Sequence, residues 1–358
     1  MASSQARRVP LDKLALGEWA PQRLIASHWS SLDADQVLWL KNPTPTRSMT
    51  FEPHTMPTMA TSSLDALLSV APQASAGRLA ATVFHIGKCG STVFQNMLDA
   101  HPRILGVVEP EIFLQIMCGL LGGTRYTEHD RDRWLAAAMV AFVNLMRPPD
   151  RHLVVKFTSL CFVALEHVRR LFPDAPVFIV CREPKSLIAA HLRSPVVWGG
   201  LRSQQPSIPV DRLPEFEHLC ARMYGMSCET ARTLEEPEFV ARTIGHYYQR
   251  ILDLDDDRVI PIHYETMKDP ERLRAVLQLC GVEDADDAAL APMLDAARYY
   301  TKDFTQRAIY TGDRPVAMDA ATLDGLVKHH VRAYEPLLAR SARLLGRTAT
   351  TARSGLIG

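Results

Sequence analysis

The chain reads as an α/β protein, and three observations predict it. Residues 80–102 run from a short apolar strand through a turn of small residues into a helix. Four more short apolar runs (104–108, 152–157, 177–181 and 259–263) have strand character, with helical periodicity in the stretches between and after them. Three of the five runs end at or just before a charged residue, Glu109, Lys156 or Arg182. In an α/β sheet the strand ends on the loop side converge on the ligand crevice.

Composition limits what that crevice can serve. With 358 residues, 47% of them hydrophobic, the chain is long enough for one large core with appendages. Lysines and arginines balance the acidic residues at 40 each, so nothing in the net charge calls for a nucleic acid or an anionic membrane as partner. Any anion site must be a local one. The seven cysteines are odd in number and form no C-x-x-C, and several lie within apolar runs, so buried thiols in a reducing compartment are expected and a metal site is not. The N-terminus lacks an apolar stretch behind its basic residues, and the longest apolar helical run, 134–146, falls short of the ~20 residues a bilayer needs. A cytoplasmic protein without a membrane span is expected.

In chain order, residues 1–75 carry no motif and read as an N-terminal accessory segment that packs on the main domain or on a second subunit, which allows for a homodimer, or alternatively as a substrate lid. Within it, 11–19 and 32–40 are helices or strands, 42–57 is an irregular connector rich in Pro, and 62–70 is a short helix capped by Ser62 or Ser63. The main domain spans 76–345. It opens on the strand 81–86, followed by Gly87, Lys88, Cys89, Gly90, Ser91 and Thr92. Then come Val93, Phe94, Met97 and Leu98 at helical spacing, and His101-Pro102 ends the helix. This geometry aims backbone N–H groups and the positive helix end at an anion, with Lys88 adding a full charge. It is a phosphate or phosphosulfate cradle rather than a Walker A loop, because Lys88 sits inside the turn instead of directly before the hydroxyl residue.

Glu109, just beyond the second strand, is the first choice for a general base and Glu111 the second. Helices are expected over 112–121 and 130–146. Lys156 lies near the end of the strand 152–157, a place where packing alone seldom puts a lysine. An amphipathic helix over 159–172 leads to VFIVC (177–181), and Arg182, opening the next helix, suits a phosphate through its planar fork. A long loop over 194–214 suits acceptor binding or closure. Helices follow at 216–231 and 237–251, and the acidic turn 252–257 reads as solvated rather than metal-binding. After the last strand come His263-Tyr264-Glu265, a surface helix over 284–297, a basic aromatic-rich stretch over 298–314, a final helix or helix pair over 322–345, and a flexible tail over 346–358.

The string GKCGST followed by NMLDAHP resembles the 5′-phosphosulfate loop of the sulfotransferases that use 3′-phosphoadenylyl sulfate (PAPS), and is most similar to the tyrosine-protein and bacterial branch. FPDAPVFIVCREPKSLIAAHLRS resembles that family's 3′-phosphate segment, and VIPIHYETMKDPERLRAVLQLCGV its tail segment. The resemblance covers about residues 80–315. It implies a P-loop-like three-layer fold in which helices flank a central parallel sheet. It implies PAPS as donor, no metal, and a small-molecule or peptide acceptor. Gly87, Lys88, Cys89, Gly90, Ser91 and Thr92 would hold the phosphosulfate, Arg182 the 3′-phosphate, and Glu109 would take the acceptor's proton. Lys88 and Lys156 would stabilise the leaving phosphate oxygen. Cys89 stands where Ser is common, Phe157-Thr158 where x-Pro often follows the lysine, and Glu109 two positions later than in the family. Ala190 occupies the position of the family's 3′-phosphate serine, leaving Ser186, His191, Arg193 or Ser194 as substitutes. The late basic loop offers Lys302, Arg307 and Arg314, and an aromatic contact to the nucleotide falls on Tyr247 or Tyr248. The alternatives are a non-catalytic binding protein of the same descent and a P-loop kinase.

Overall fold

The computed structural model describes residues 7–8, 19–25, 36–41, 59–63, 79–110, 112–114, 117, 129, 133, 135–137, 139, 151–193, 213–283, 285–299 and 318–355. Its centre is a parallel five-stranded sheet: β5 (Leu79–His85), β6 (Ile104–Val108), β7 (His152–Lys156), β8 (Val177–Cys181) and β9 (Val259–His263), ordered β6-β7-β5-β8-β9. The chain begins this sheet in the middle, moves out to β6, returns to β7, then crosses to β8 and β9. The switch point therefore lies at the C-terminal end of β5, flanked by β7 and β8, where open α/β sheets bind ligands. This is the α/β fold with a central parallel sheet and flanking helices that the sequence predicts.

The strands are nearly continuous apolar runs because helices cover both faces of a parallel sheet. All five residues of β8 are buried, as are all five of β9. Helix α1 (Ser91–Asp99) returns from the cradle and buries Phe94, Gln95, Met97 and Leu98. It presses so closely on β6 that a Cβ at Gly106 would stand 2.3 Å from Gln95 Nε2, and Asp99 Oδ1 accepts the Gly106 N–H at 3.0 Å.

Several segments differ from their sequence reading. Residues 159–172 are a 3₁₀ turn (Ser159–Ala164) followed by helix α2 (Leu165–Leu171). Five of the six residues in the first part are buried, so it has no solvent face for an amphipathic helix to present. After α3 (Pro184–Arg193), the stretch 216–231 splits into α4 (Leu213–Tyr224) and α5 (Cys228–Thr233). Gly225 breaks it with φ 68°, and Ser227 caps α5 by accepting the Thr230 N–H. The break brings Cys220 and Cys228 to a Cα separation of 5.5 Å, and they form a disulfide. The expectation of seven thiols is corrected at that pair. Cys89, Cys161, Cys181 and Cys280 are free and buried.

Helix α6 (Glu236–Asp253) follows. Its Gly245 lies against the His330 carbonyl, which a Cβ would approach to 1.9 Å. The acidic turn is held by arginines: Arg169 pairs with Asp256, and Arg340 donates to the Asp256 carbonyl. Helices α7 (Pro270–Leu279), α8 (Asp287–Ala296), α9 (Ala320–His330) and α10 (Tyr334–Gly355) complete the domain. Helix α10 extends through part of the stretch read as a tail.

In the N-terminal segment, β1 (Arg7–Arg8), β2 (Trp19–Ile25), β3 (Gln36–Lys41) and β4 (Met59–Ser63) form a second sheet ordered β1-β4-β3-β2. Ser62 and Ser63 end β4 rather than cap a helix, because they pair across the ladder with Val37 and Gln36. No helix among the described residues is long and apolar enough to cross a membrane.

Candidate functional site

The C-terminal ends of the five parallel strands supply the candidate residues in turn: His85 on β5, Glu109 after β6, Lys156 on β7, Arg182 after β8 and Tyr264 after β9. The cradle leaves β5 through left-handed backbone, with φ of 84° at Gly87, 53° at Lys88 and 88° at Gly90. Gly90 tolerates that region and also leaves room for Tyr264, whose Cδ2 would lie 2.2 Å from an added Cβ. Gly90 is the N-cap of α1, so no side chain caps the first turn, and that turn holds no acidic residue. By contrast, Asp269, Asp286 and Asp319 cap α7, α8 and α9 with their carboxylates. The α1 terminus thus keeps the character of an anion site, with Ser91 buried and Lys88 and Thr92 half-buried around it.

Cys89 belongs to the core rather than to the cradle lining. Its side chain is fully buried, and burial raises the thiol's pKa. The Cys89 side chain therefore packs beneath the loop rather than lining it.

Beside the cradle, Lys156, Glu109 and His85 converge. Lys156 is 1% exposed, on the strand between β6 and β5, which excludes a snorkelling edge lysine. Its Nζ donates to Glu109 Oε1. Glu109 turns back over Lys156 in a left-handed conformation, φ 50°, while its N–H donates to the Lys156 carbonyl at 2.7 Å. A non-glycine residue at positive φ is uncommon and concentrates at functional sites. His85 Nδ1 accepts the Gly87 N–H at 3.0 Å, and its Nε2 lies 3.4 Å from Glu109 Oε1. No hydrogen bond closes that gap, and the buried Nε2 has no hydrogen-bond partner.

The electrostatics follow from this packing. Burial pushes Glu109 up, but the His85 contact and the Lys156 charge outweigh it and bring the carboxyl down to about 2. Burial, reinforced by Lys156, lowers His85 to about 4, so its ring is neutral at pH 7. The site rests as a carboxylate, a cation and a neutral imidazole. Glu109 keeps 38% of its side chain exposed, so the carboxylate remains accessible.

On the other side of the cradle, Arg182 Nη1 donates to the Lys88 carbonyl at 3.3 Å and its guanidinium lies 4.9 Å from the centroid of the Tyr264 ring. Tyr248 fixes the backbone at that point: its hydroxyl donates to the Arg182 carbonyl at 2.6 Å and accepts the Arg182 N–H at 3.1 Å. Tyr247 and Tyr248 are both buried, so neither presents a ring to a nucleotide. Tyr264, which the sequence reading passed over, is the aromatic at the cradle. Glu265 Oε1 accepts the Glu183 N–H at 3.1 Å and joins the two loops. Ala190 and His191 are buried on α3, and burial lowers His191 to about 3. Ser194, Lys302, Arg307, Arg314 and Glu111 lie outside the described residues.

The structure therefore groups Gly87 to Thr92, Glu109, Lys156 and Arg182 around one strand end. The sequence reading missed His85 and Tyr264. A histidine in an otherwise apolar strand, two residues before Gly87 of the turn, was the available signal for the first. Tyr264, named only as part of His263-Tyr264-Glu265 after the last strand, offered no signal of its own.

No protein-family model matches the chain, and no curated protein matches it. Among solved structures, the chain is similar to a sulfotransferase from Alicyclobacillus acidocaldarius, with 14% identity and a TM-score of 0.39 over 77% of this chain and 99% of that one. It is also similar to sulfotransferase STF9 from Mycobacterium avium, with 13% identity and a TM-score of 0.41 over 74% of this chain and 80% of that one.

Proposed function

We propose that this chain is a sulfotransferase that moves a sulfonate from PAPS to a hydroxyl or amine acceptor. One observation carries the reading: a carboxylate, a buried lysine and an uncapped helix N-terminus with its own lysine meet at the switch point of a parallel sheet. This combination suits displacement at an anionic centre, where a cradle and two cations hold negative charge while a carboxylate receives a proton. Bound PAPS would supply the sulfonate and a phosphate leaving group. Glu109 takes the acceptor's proton as the acceptor atom bonds to sulfur and the bridging S–O bond breaks. Lys156 and Lys88 offset the charge left on the phosphate oxygen. The α1 N-terminus holds the 5′-phosphate, and Arg182, already steadied by Tyr264, holds the 3′-phosphate.

The resting pair of Lys156 and Glu109 fits this scheme. A carboxylate at about 2 is a weak base, and an incoming anion competes for the same ammonium. As Lys156 turns to the anion, Glu109 gains basicity when the proton must move.

A thermal-shift comparison tests the reading. 3′-Phosphoadenosine 5′-phosphate is expected to raise the melting temperature, and ATP with Mg²⁺ is expected to do less; the reverse order would overturn it. Arg182→Ala should weaken nucleotide binding about 10-fold or more, the worth of a charge-assisted hydrogen bond. Glu109→Gln should leave binding intact and cut turnover by about 10²–10⁴. The non-catalytic reading is favoured by Ala190 in place of a phosphate-binding serine. Nucleotide binding with no sulfonate transfer to any phenol, alcohol, sugar or amine would select it.

A further inference from the structure

Among the described residues, His85 is a buried polar side chain that touches both halves of the site. Its Nδ1 accepts a hydrogen bond from the first residue of the cradle, and its Nε2 faces the candidate base. The first bond decides the tautomer. A backbone N–H can donate only to an unprotonated ring nitrogen, so the proton of the neutral ring sits on Nε2. The carboxylate oxygen 3.4 Å from that nitrogen is Glu109 Oε1, the oxygen that Lys156 also occupies.

We propose that His85 is a positioning residue that ties Gly87 of the cradle to the Glu109 carboxylate and holds that carboxylate in place when Lys156 turns towards a bound anion. The use made of the carboxylate rests on the sulfotransferase reading; the linkage itself does not. Three features carry it. His85 is 6% exposed and cannot exchange its contacts for water. Its Nε2 has no hydrogen-bond partner, and a buried donor in that state gains by closing on an acceptor within reach; Glu109 Oε1 lies 3.4 Å away. Contacts of this kind are often long in a ligand-free site and tighten on binding. Glu109 also sits at positive φ, where its backbone leaves few ways to aim the carboxylate. With Lys156 withdrawn, His85 is the donor in position to fix Oε1. The groups facing this pair are Lys156 from β7 and the Cys161 thiol from the 3₁₀ turn, which senses the Glu109 charge, with the Phe157 backbone against the imidazole.

Two amide substitutions separate the two bonds. The oxygen of Asn occupies the place of Nδ1, and the amide nitrogen of Gln the place of Nε2. In His85→Asn the cradle bond survives and the Glu109 contact is lost. The affinity for 3′-phosphoadenosine 5′-phosphate, measured by calorimetry, should stay within about 2-fold, while the Glu109 carboxyl, followed by NMR, should titrate at higher pH than in the native chain. In His85→Gln the Glu109 titration should stay near native, and nucleotide affinity should fall about 2- to 10-fold, the range of one neutral hydrogen bond. Both quantities moving together in both variants, or neither moving in either, overturns the proposal. If the variants fail to fold, ring nitrogen shifts of native His85 decide it: an Nε2–H tautomer supports the linkage and an Nδ1–H tautomer overturns it. A native chain that does not bind the nucleotide would sink the sulfotransferase reading, while the Glu109 titration and the ring shifts would still decide the linkage.

Discussion

Lys156 shows how one buried charge sets the state of its neighbours. Burial lowers His85 and the ammonium lowers it further, so the imidazole rests neutral; Glu109, raised by burial, is brought down by the His85 contact and the same ammonium. Lys156→Met keeps most of the buried stem and removes the charge. Both groups should then titrate higher, Glu109 rising from about 2 towards the ordinary carboxylate range and His85 rising from about 4. NMR titration of the two residues checks this, and a Glu109 titration unchanged in the variant would refute the pairing. The stability cost should stay below the ~3–5 kcal/mol of a fully orphaned buried charge, because Glu109 is exposed enough to be hydrated. The sequence marked Lys156 and Glu109 because charges at the ends of apolar strands are conspicuous. It did not mark His85, because a single polar residue in an apolar run has the same pattern whether it packs or works.

At the scale of elements, the cradle is held from outside as much as by its own turn. Tyr264 arrives from β9, two strands away from β5, and occupies the space that a side chain at Gly90 would need. Gly90→Ala should therefore be destabilising for two separable reasons: φ of 88°, which costs about 1–3 kcal/mol for a residue with a Cβ, and collision with the ring. Adding Tyr264→Ala relieves the collision and leaves the backbone cost. Chemical denaturation of both single variants and the double variant should thus show a loss smaller than the sum of the singles, and simple additivity would argue against the close packing. The turn's sequence, GKCGST, predicts a tight anion-binding loop. The reason its second glycine cannot change lies more than 170 residues away. The break at Gly225 is similar: helical periodicity runs through 216–231, and only the positive φ at Gly225, together with the cap at Ser227, splits it and joins Cys220 to Cys228.

For the whole molecule, buried histidines set the response to acid. His85, His191 and His263 lie on three different elements. Burial lowers each of them, helped by the Lys156, Lys88 and Arg272 charges respectively, to about 4, 3 and 4. An unfolded chain would protonate them near the ordinary 6.5, so below that pH the unfolded state binds more protons than the folded one. Their contribution is fully present above about pH 6.5 and is lost as pH falls towards 4. Glu109 adds a second loss at lower pH, below the ordinary 4.5. Denaturation near pH 7 and near pH 5 should differ by on the order of 1–2 kcal/mol per histidine. A His263→Gln variant that folds should lose part of the difference, and an acid sensitivity identical to the native chain would discount that residue.

Local pattern was enough to determine the five strands, the α1 cradle, the charged strand ends and the neutral balance that makes any anion site local. These are properties of short stretches, where apolar run length, turn residues and helical spacing act within a few residues. Tertiary structure decided which strand ends meet. The order β6-β7-β5-β8-β9 places β7 between β5 and β6, so that Lys156 stands between His85 and Glu109. It also decided that Cys89 faces the core, that Tyr264 rather than Tyr247 or Tyr248 is the aromatic at the cradle, and that an imidazole spans loop and carboxylate. Those outcomes depend on burial and strand order, which are set by contacts between residues far apart in the chain and leave no period in the sequence.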